Sequence, residues 1–280
     1  MKLKWLLLCC QLANGDWSTT INVAGMQRTL SQMMTKEFLL ISRGMEVSEA
    51  KLSLKESMSS FNGTLYALMT GDASRDILAA PNGQVAQALE EVQKVWRPMA
   101  ELLRTNVDTV RSPEGAVNMV VLEALSSMNV PLLDASDVVL KALVDAAQVA
   151  GAATNGLVQD IAGRQRTLIQ RLAKGILFLS QGVAMSFNME AFRDTKDLFE
   201  ASHQGIIEGV PFVGLPVLRQ VCTLHQMWEV SSYYQKLRPL LIGITNAETP
   251  SMSQAAAEAV VDEVIHLVDP LFAAMAEAAA

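Results

Sequence analysis

A stretch of 22 residues occurs twice in this chain, and that repeat limits what the chain can fold into. The first copy, Ala24-Gly25-Met26-Gln27-Arg28-Thr29-Leu30-Ser31-Gln32, runs on to Met45. The second, Ala162-Gly163-Arg164-Gln165-Arg166-Thr167-Leu168-Ile169-Gln170, lies at a constant offset of 138, and 11 of the 22 aligned positions are identical. Self-similarity of this length at one offset marks a tandem duplication. The 280 residues leave room for two units of ordinary domain size. Residues 16–150 and 151–280 are therefore expected to form one unit each, with the junction in Gly151-Ala152-Ala153-Thr154-Asn155-Gly156.

The spacing of apolar residues makes the units helical. Val23, Met26, Leu30, Met34, Phe38, Ile41 and Met45 recur in steps of three and four, the period of one helix face. A second helix is expected through Leu52, Met58, Phe61, Leu65 and Leu68, and a third through Val85, Leu89, Val92, Val95 and Trp96, kinked or interrupted by Pro98. A fourth carries Val117 to Val144 and bends at Pro131. The second half repeats the order: Phe61–Gly71 aligns with Phe199–Gly209 at the same offset, and Pro131 with Pro270 at an offset of 139. Trp96 is matched to Trp228 by giving the second copy a loop six residues shorter. With half of the residues hydrophobic but only 5% aromatic, the expected fold is all-α: two tandem antiparallel four-helix bundles from an internal duplication. If the chain turns at Asn155-Gly156 rather than continuing as one helix, an even helix count per bundle sets the two first helices running in the same direction.

Several function classes drop out. A net charge of −7 without a basic cluster argues against a nucleic-acid partner. There is no phosphate loop, nucleophile elbow or dinucleotide fingerprint. His203, His225 and His266 lack metal-ligand spacing, and the adjacent acids Glu90-Glu91 and Asp262-Glu263 point apart on a helix. No enzyme, metal or cofactor is expected. Cys222 reads as a small buried hydrophobe. Met1-Lys2-Leu3-Lys4 followed by Trp5–Ala13 has the basic and apolar regions of a short signal peptide ending at Gly15. No later segment is apolar enough to span a membrane.

The other face of the first helix is a stripe of small and polar residues: Ile21, Ala24, Gly25, Arg28, Ser31, Gln32 and Thr35. Its counterpart is Ala162, Gly163, Arg166, Ile169, Gln170 and Ala173. Small residues let two backbones approach, and an Arg one turn beyond each glycine lies over a notch. Two such guanidinium groups meeting across a seam repel, and a small planar oxyanion between them relieves the repulsion. The plainer reading pairs each Arg with a carboxylate of its own bundle.

These residues carry a resemblance. The pattern Ala-Gly-x-x-Arg on the first helix of a bundle resembles the N-terminal sensory domain of type IV pili methyl-accepting chemotaxis transducers, the PilJ-type family. It is also similar to the P-box of nitrate/nitrite sensor kinases. The resemblance implies a periplasmic, all-helical, non-enzymatic sensor in which Arg28 and Arg166 take the anion-binding position, with nitrate or nitrite as the ligand. Gly25 and Gly163 would allow close backbone approach, and Arg164 and Arg171 would assist. The partner implied is a membrane sensor kinase or chemoreceptor. Met26 and Met33 stand where the second copy has Arg164 and Arg171, so the two copies are not equivalent. The alternative is a helical protein–protein interaction module that binds no ligand.

Overall fold

The computed structural model describes residues 16–152, 156–210, 217, 219, 221–247 and 249–278, without the side chains of 156–160, 162 and 277–278. The expected signal peptide, residues 1–15, and the centre of the expected junction lie outside the described residues. Eight helices run in order among the described residues: α1 (Trp17–Arg43), α2 (Val47–Thr70), α3 (Gly83–Asn106), α4 (Met119–Val149), α5 (Gly156–Ser180), α6 (Met185–Glu208), α7 (Val221–Thr245) and α8 (Pro250–Ala278). Apart from a 3-10 turn at Ala73–Arg75 and isolated bridges, the regular structure described is helical.

Local chemistry sets the ends. Asp16 caps α1, accepting from the Thr19 amide at 2.9 Å. Gly44 closes it in the left-handed conformation (φ 82°), with Gly44 N donating to Ile41 O and Met45 N to Leu40 O, a Schellman motif. The end of α5 repeats this at Gly182 (φ 71°), with Gly182 N on Leu179 O and Val183 N on Phe178 O. Arg111 donates to Ser42 O at 3.1 Å, placing a cation at the C-terminus of α1. Pro98, Pro131 and Pro239 lie inside α3, α4 and α7 without ending them. All three are exposed, so the carbonyl each frees one turn earlier reaches water.

In the first set of helices α1 packs on α2 and α4, and α3 packs on α4; α2 and α3 touch lightly. In the second set α5 packs on α6 and α8, and α7 on α8, again with a light contact between α6 and α7. The two sets join through α1 and α5. Because neighbours surround it on three sides, α1 is buried on its polar stripe as well as its apolar one. The core is aliphatic, with Phe38, Phe61, Phe178, Phe192 and Phe199 among its largest fully buried side chains.

The offset of 138 relates contacts as well as residues. Phe61 and Trp96 lie 4.6 Å apart, ring to ring, at 42°; Phe199 and Tyr234 do the same at 4.6 Å and 42°. Trp96 Nε1 donates to Asn62 and Tyr234 OH to Glu200. The structural counterpart of Trp96 is thus Tyr234, at 138 with no gap. This corrects the expected match to Trp228, which is 60% exposed. The shorter loop of the second set lies instead between α7 and α8. Two further expectations fail for reasons of helical phase: Leu52 faces solvent while Ala50 and Leu54 are buried, and Cys222, in the first turn of α7, is exposed.

Candidate functional site

The α1–α5 seam is where the repeated stretches meet. Thr29 Oγ1 and Thr167 Oγ1, equivalent residues, hydrogen-bond to each other at 3.0 Å. Near the C-terminal ends Ser42 Oγ donates to Gln181 Oε1 at 2.9 Å and Arg43 approaches Ser180 Oγ at 3.5 Å. Ser42 and Arg43 are the equivalents of Ser180 and Gln181. Residue i therefore meets the counterpart of j while j meets the counterpart of i, the signature of a two-fold relation. The helices run parallel and in register, as the even helix count requires.

The conserved geometry extends outward from the seam. Gln27 Nε2 donates to Phe61 O at 3.1 Å and Gln165 Nε2 to Phe199 O at 3.5 Å, tying each seam helix to the helix that follows it. Gln165 also donates to Ser202 Oγ. The Oε1 atoms of Gln27, Gln32, Gln165 and Gln170 are buried without a hydrogen-bond partner among the described residues.

Arg28 and Arg166 converge on one glycine. A Cβ on Gly163 would lie 3.5 Å from Arg28 Nη2 and 3.7 Å from Arg166 Nη2, and one on Gly25 would lie 3.7 Å from Arg28 Nη2. The two Nη2 atoms are thus no further apart than the first two distances combined. Arg28, 2% exposed, donates from Nη1 to Asp137 Oδ1 of α4 at 2.9 Å. Arg166 donates from Nη2 to Asn22 Oδ1 of α1 at 3.3 Å, across the seam. Its Nε is buried without a hydrogen-bond partner among the described residues. Burial and the Arg28 charge both lower the Arg166 pKa; the two guanidinium groups repel in a medium that screens poorly. Arg28 holds a carboxylate of its own set, and both side chains reach the same glycine.

Arg164 and Arg171 form a separate cluster. Burial lowers the Arg171 pKa against the opposing pull of Asp137, Asp134 and Asp194, and the Arg164 charge adds to the lowering. Seven residues apart, Arg164 and Arg171 share a helix face that Arg166 does not. Asp137 is the link between the two clusters.

Two further residues reach the seam that the motif alone does not single out. Asp137 belongs to α4, outside the repeat, and no spacing rule singles it out. Lys174, the equivalent of Lys36, is buried in the seam, where its Nζ donates to Asn129 Oδ1 at 2.5 Å. Asn129 Nδ2 in turn donates to Ser31 O at 3.0 Å and Thr35 Oγ1 at 2.8 Å, joining α4, α5 and α1. Burial, with Arg171 nearby, pushes the Lys174 pKa down to about 7. Lys36 has carboxylates instead, Glu37 at 3.3 Å and Asp269 at 3.1 Å. These outweigh its burial and hold its pKa above the ordinary value. The recurrence of Lys at 36 and 174 in the repeat was a signal available in the sequence.

No helix among the described residues is long and apolar enough to cross a membrane. No curated protein and no solved structure matches the chain. Residues 14–118, covering α1 to α3 and the connection up to α4, match the model of the family described as Type IV pili methyl-accepting chemotaxis transducer N-term, PilJ, and over that stretch the chain is similar to this family.

Proposed function

We propose that the α1–α5 seam binds a small planar oxyanion between Arg28 and Arg166, with nitrate or nitrite as the first candidates, and that the chain is a ligand-sensing unit. The observation that carries this reading is the convergence of buried Arg28 and half-buried Arg166 on Gly163. Like charges brought together at a glycine notch are stabilised by an anion that accepts from both forks. The similarity of residues 14–118 to a transducer N-terminal domain supports a sensory role, and the resemblance of the repeated stretch to the P-box supports the choice of ligand. On the same resemblance the chain acts in the periplasm and signals to a membrane chemoreceptor or sensor kinase. An anion seated on both seam helices would bias the position of one set of helices against the other, which is the differential contact a sensor requires.

One observation favours the interaction module instead: Arg28 already has Asp137. A thermal-shift screen with nitrate, nitrite, chloride, sulfate and small carboxylates separates the readings. A ligand that binds only the folded chain raises its stability by mass action. The sensor reading expects a selective shift with nitrate or nitrite that disappears in Arg166→Ala. A flat response to every anion at millimolar concentration would leave the interaction module.

A further inference from the structure

Asp137 stands outside the repeated stretch, yet its carboxylate reaches the seam. Its surroundings are unequal: Arg28 is almost fully buried, whereas the Asp137 side chain is 45% exposed. The carboxylate thus keeps part of its hydration while it compensates a buried cation. Its charge also acts on Arg171, favouring the protonated guanidinium.

Among the described residues, the second set of helices shows no such group at the equivalent place. At the offset of 139 that aligns Pro131 with Pro270, residue 137 falls on Ala276. Where Arg28 has a carboxylate oxygen at 2.9 Å, Arg166 has an amide oxygen at 3.3 Å. An amide accepts a hydrogen bond without neutralising the charge. Among the described groups the seam is therefore matched in its two arginines and unequal in the charge of their partners.

We infer that Asp137 is a specificity-determining residue of the seam: its carboxylate offsets the charge that Arg28 presents, so that the seam takes a monovalent oxyanion and turns away a divalent one. The inference rests on the anion reading above. An anion bound beside Arg28 feels the Asp137 charge as well as the two guanidinium groups. Repulsion scales with the charge of the anion, so a carboxylate that weakens a monovalent ligand tenfold weakens a divalent ligand about a hundredfold. A single opposite charge within about 4–6 Å shifts the ionisation of a group by about one to three pKa units, that is about 10- to 1000-fold in an equilibrium, and a like charge acts in the opposite sense by the same law. The half-exposed position of Asp137 puts the effect at the lower end of that range.

The test is isothermal titration of the full chain with sodium nitrate and sodium sulfate at constant ionic strength, in wild type, Asp137→Asn and Ala276→Asp. Asp137→Asn keeps an acceptor for Arg28 Nη1 and removes the charge. It is expected to bind nitrate about tenfold more tightly and to raise the ratio of sulfate to nitrate affinity about tenfold. Ala276→Asp, which adds a carboxylate at the equivalent position, is expected to weaken nitrate and lower that ratio. Unchanged or weaker nitrate binding in Asp137→Asn with an unmoved ratio would make Asp137 only a positioning residue for Arg28; the inference falls and the anion site stands. An unmoved ratio in Ala276→Asp decides the same way if Asp137→Asn does not fold. Binding of neither anion by wild type or by Asp137→Asn overturns the anion site and the inference together.

Discussion

The same substitution, glycine to alanine, is expected to have opposite effects at two places in α5. Replacing a helix-interior glycine by alanine stabilises by about 0.8–1 kcal/mol, because the unfolded chain loses conformational freedom. At Gly163 the new Cβ would meet Arg28 Nη2 at 3.5 Å and Arg166 Nη2 at 3.7 Å, ordinary van der Waals distances. The gain is retained, and Gly163→Ala should be about 1 kcal/mol more stable than wild type. At Gly175 the Cβ would lie 2.7 Å from Phe192 Cδ2 and 3.5 Å from Cγ. Phe192 is buried in the core between α5 and α6 and has no room to retreat. Overpacking a core of this kind costs about 1–3 kcal/mol, so Gly175→Ala should be neutral to about 2 kcal/mol less stable. The propensity gain is common to both variants, so their difference, about 1–3 kcal/mol, reads packing alone. Equilibrium urea denaturation measures it. Equal stabilities, or Gly163→Ala the weaker of the two, would refute the packing described for α5. The anion reading adds a second expectation for Gly163→Ala: nitrate affinity falls although the fold is firmer, because the methyl group occupies the notch.

Lys174, with a folded pKa of about 7 against 10.5 when exposed, leaves the unfolded chain holding an extra proton between those values; stability should rise with pH from about 7 to about 10.5. Lys174→Met should flatten that rise in denaturation curves taken across the range, and an unchanged slope would contradict the burial of this amine. His203, stacked on Phe199 and pushed by burial to about 4, acts at the acid end: the unfolded chain binds a proton between about 6.5 and 4 that the folded chain does not, so stability should fall as pH drops through that window, less so in His203→Gln. The Thr29–Thr167 hydrogen bond should appear in a double-mutant cycle with Val as a coupling of about 1 kcal/mol; additive effects would show that the seam is not held there.

Much of this molecule was legible because helical periodicity and a repeated stretch are local signals. The apolar steps from Leu30 to Ile41, the closing glycines Gly44 and Gly182, and the direction of α1 relative to α5 follow from spacing and count alone. The equivalence of Arg28 and Arg166 was readable for the same reason, since both sit one turn beyond a glycine in the repeat. Residue type is a weaker cue: Trp228 resembles Trp96 in kind, yet the packing partner of Phe199 is Tyr234, because ring position on the helix face decides burial and identity does not.

By itself, then, the sequence determined an all-helical chain with a repeated helix and an arginine at the same place in each copy. Only the tertiary structure decided the electrostatics around the two arginines. Asp137 reaches Arg28 from 109 positions away along the chain, and Asn129 reaches Lys174 from 45. Helix packing sets such distances through the summed shape of every intervening side chain. No short-range pattern encodes which exposed carboxylate will end up beside a buried cation.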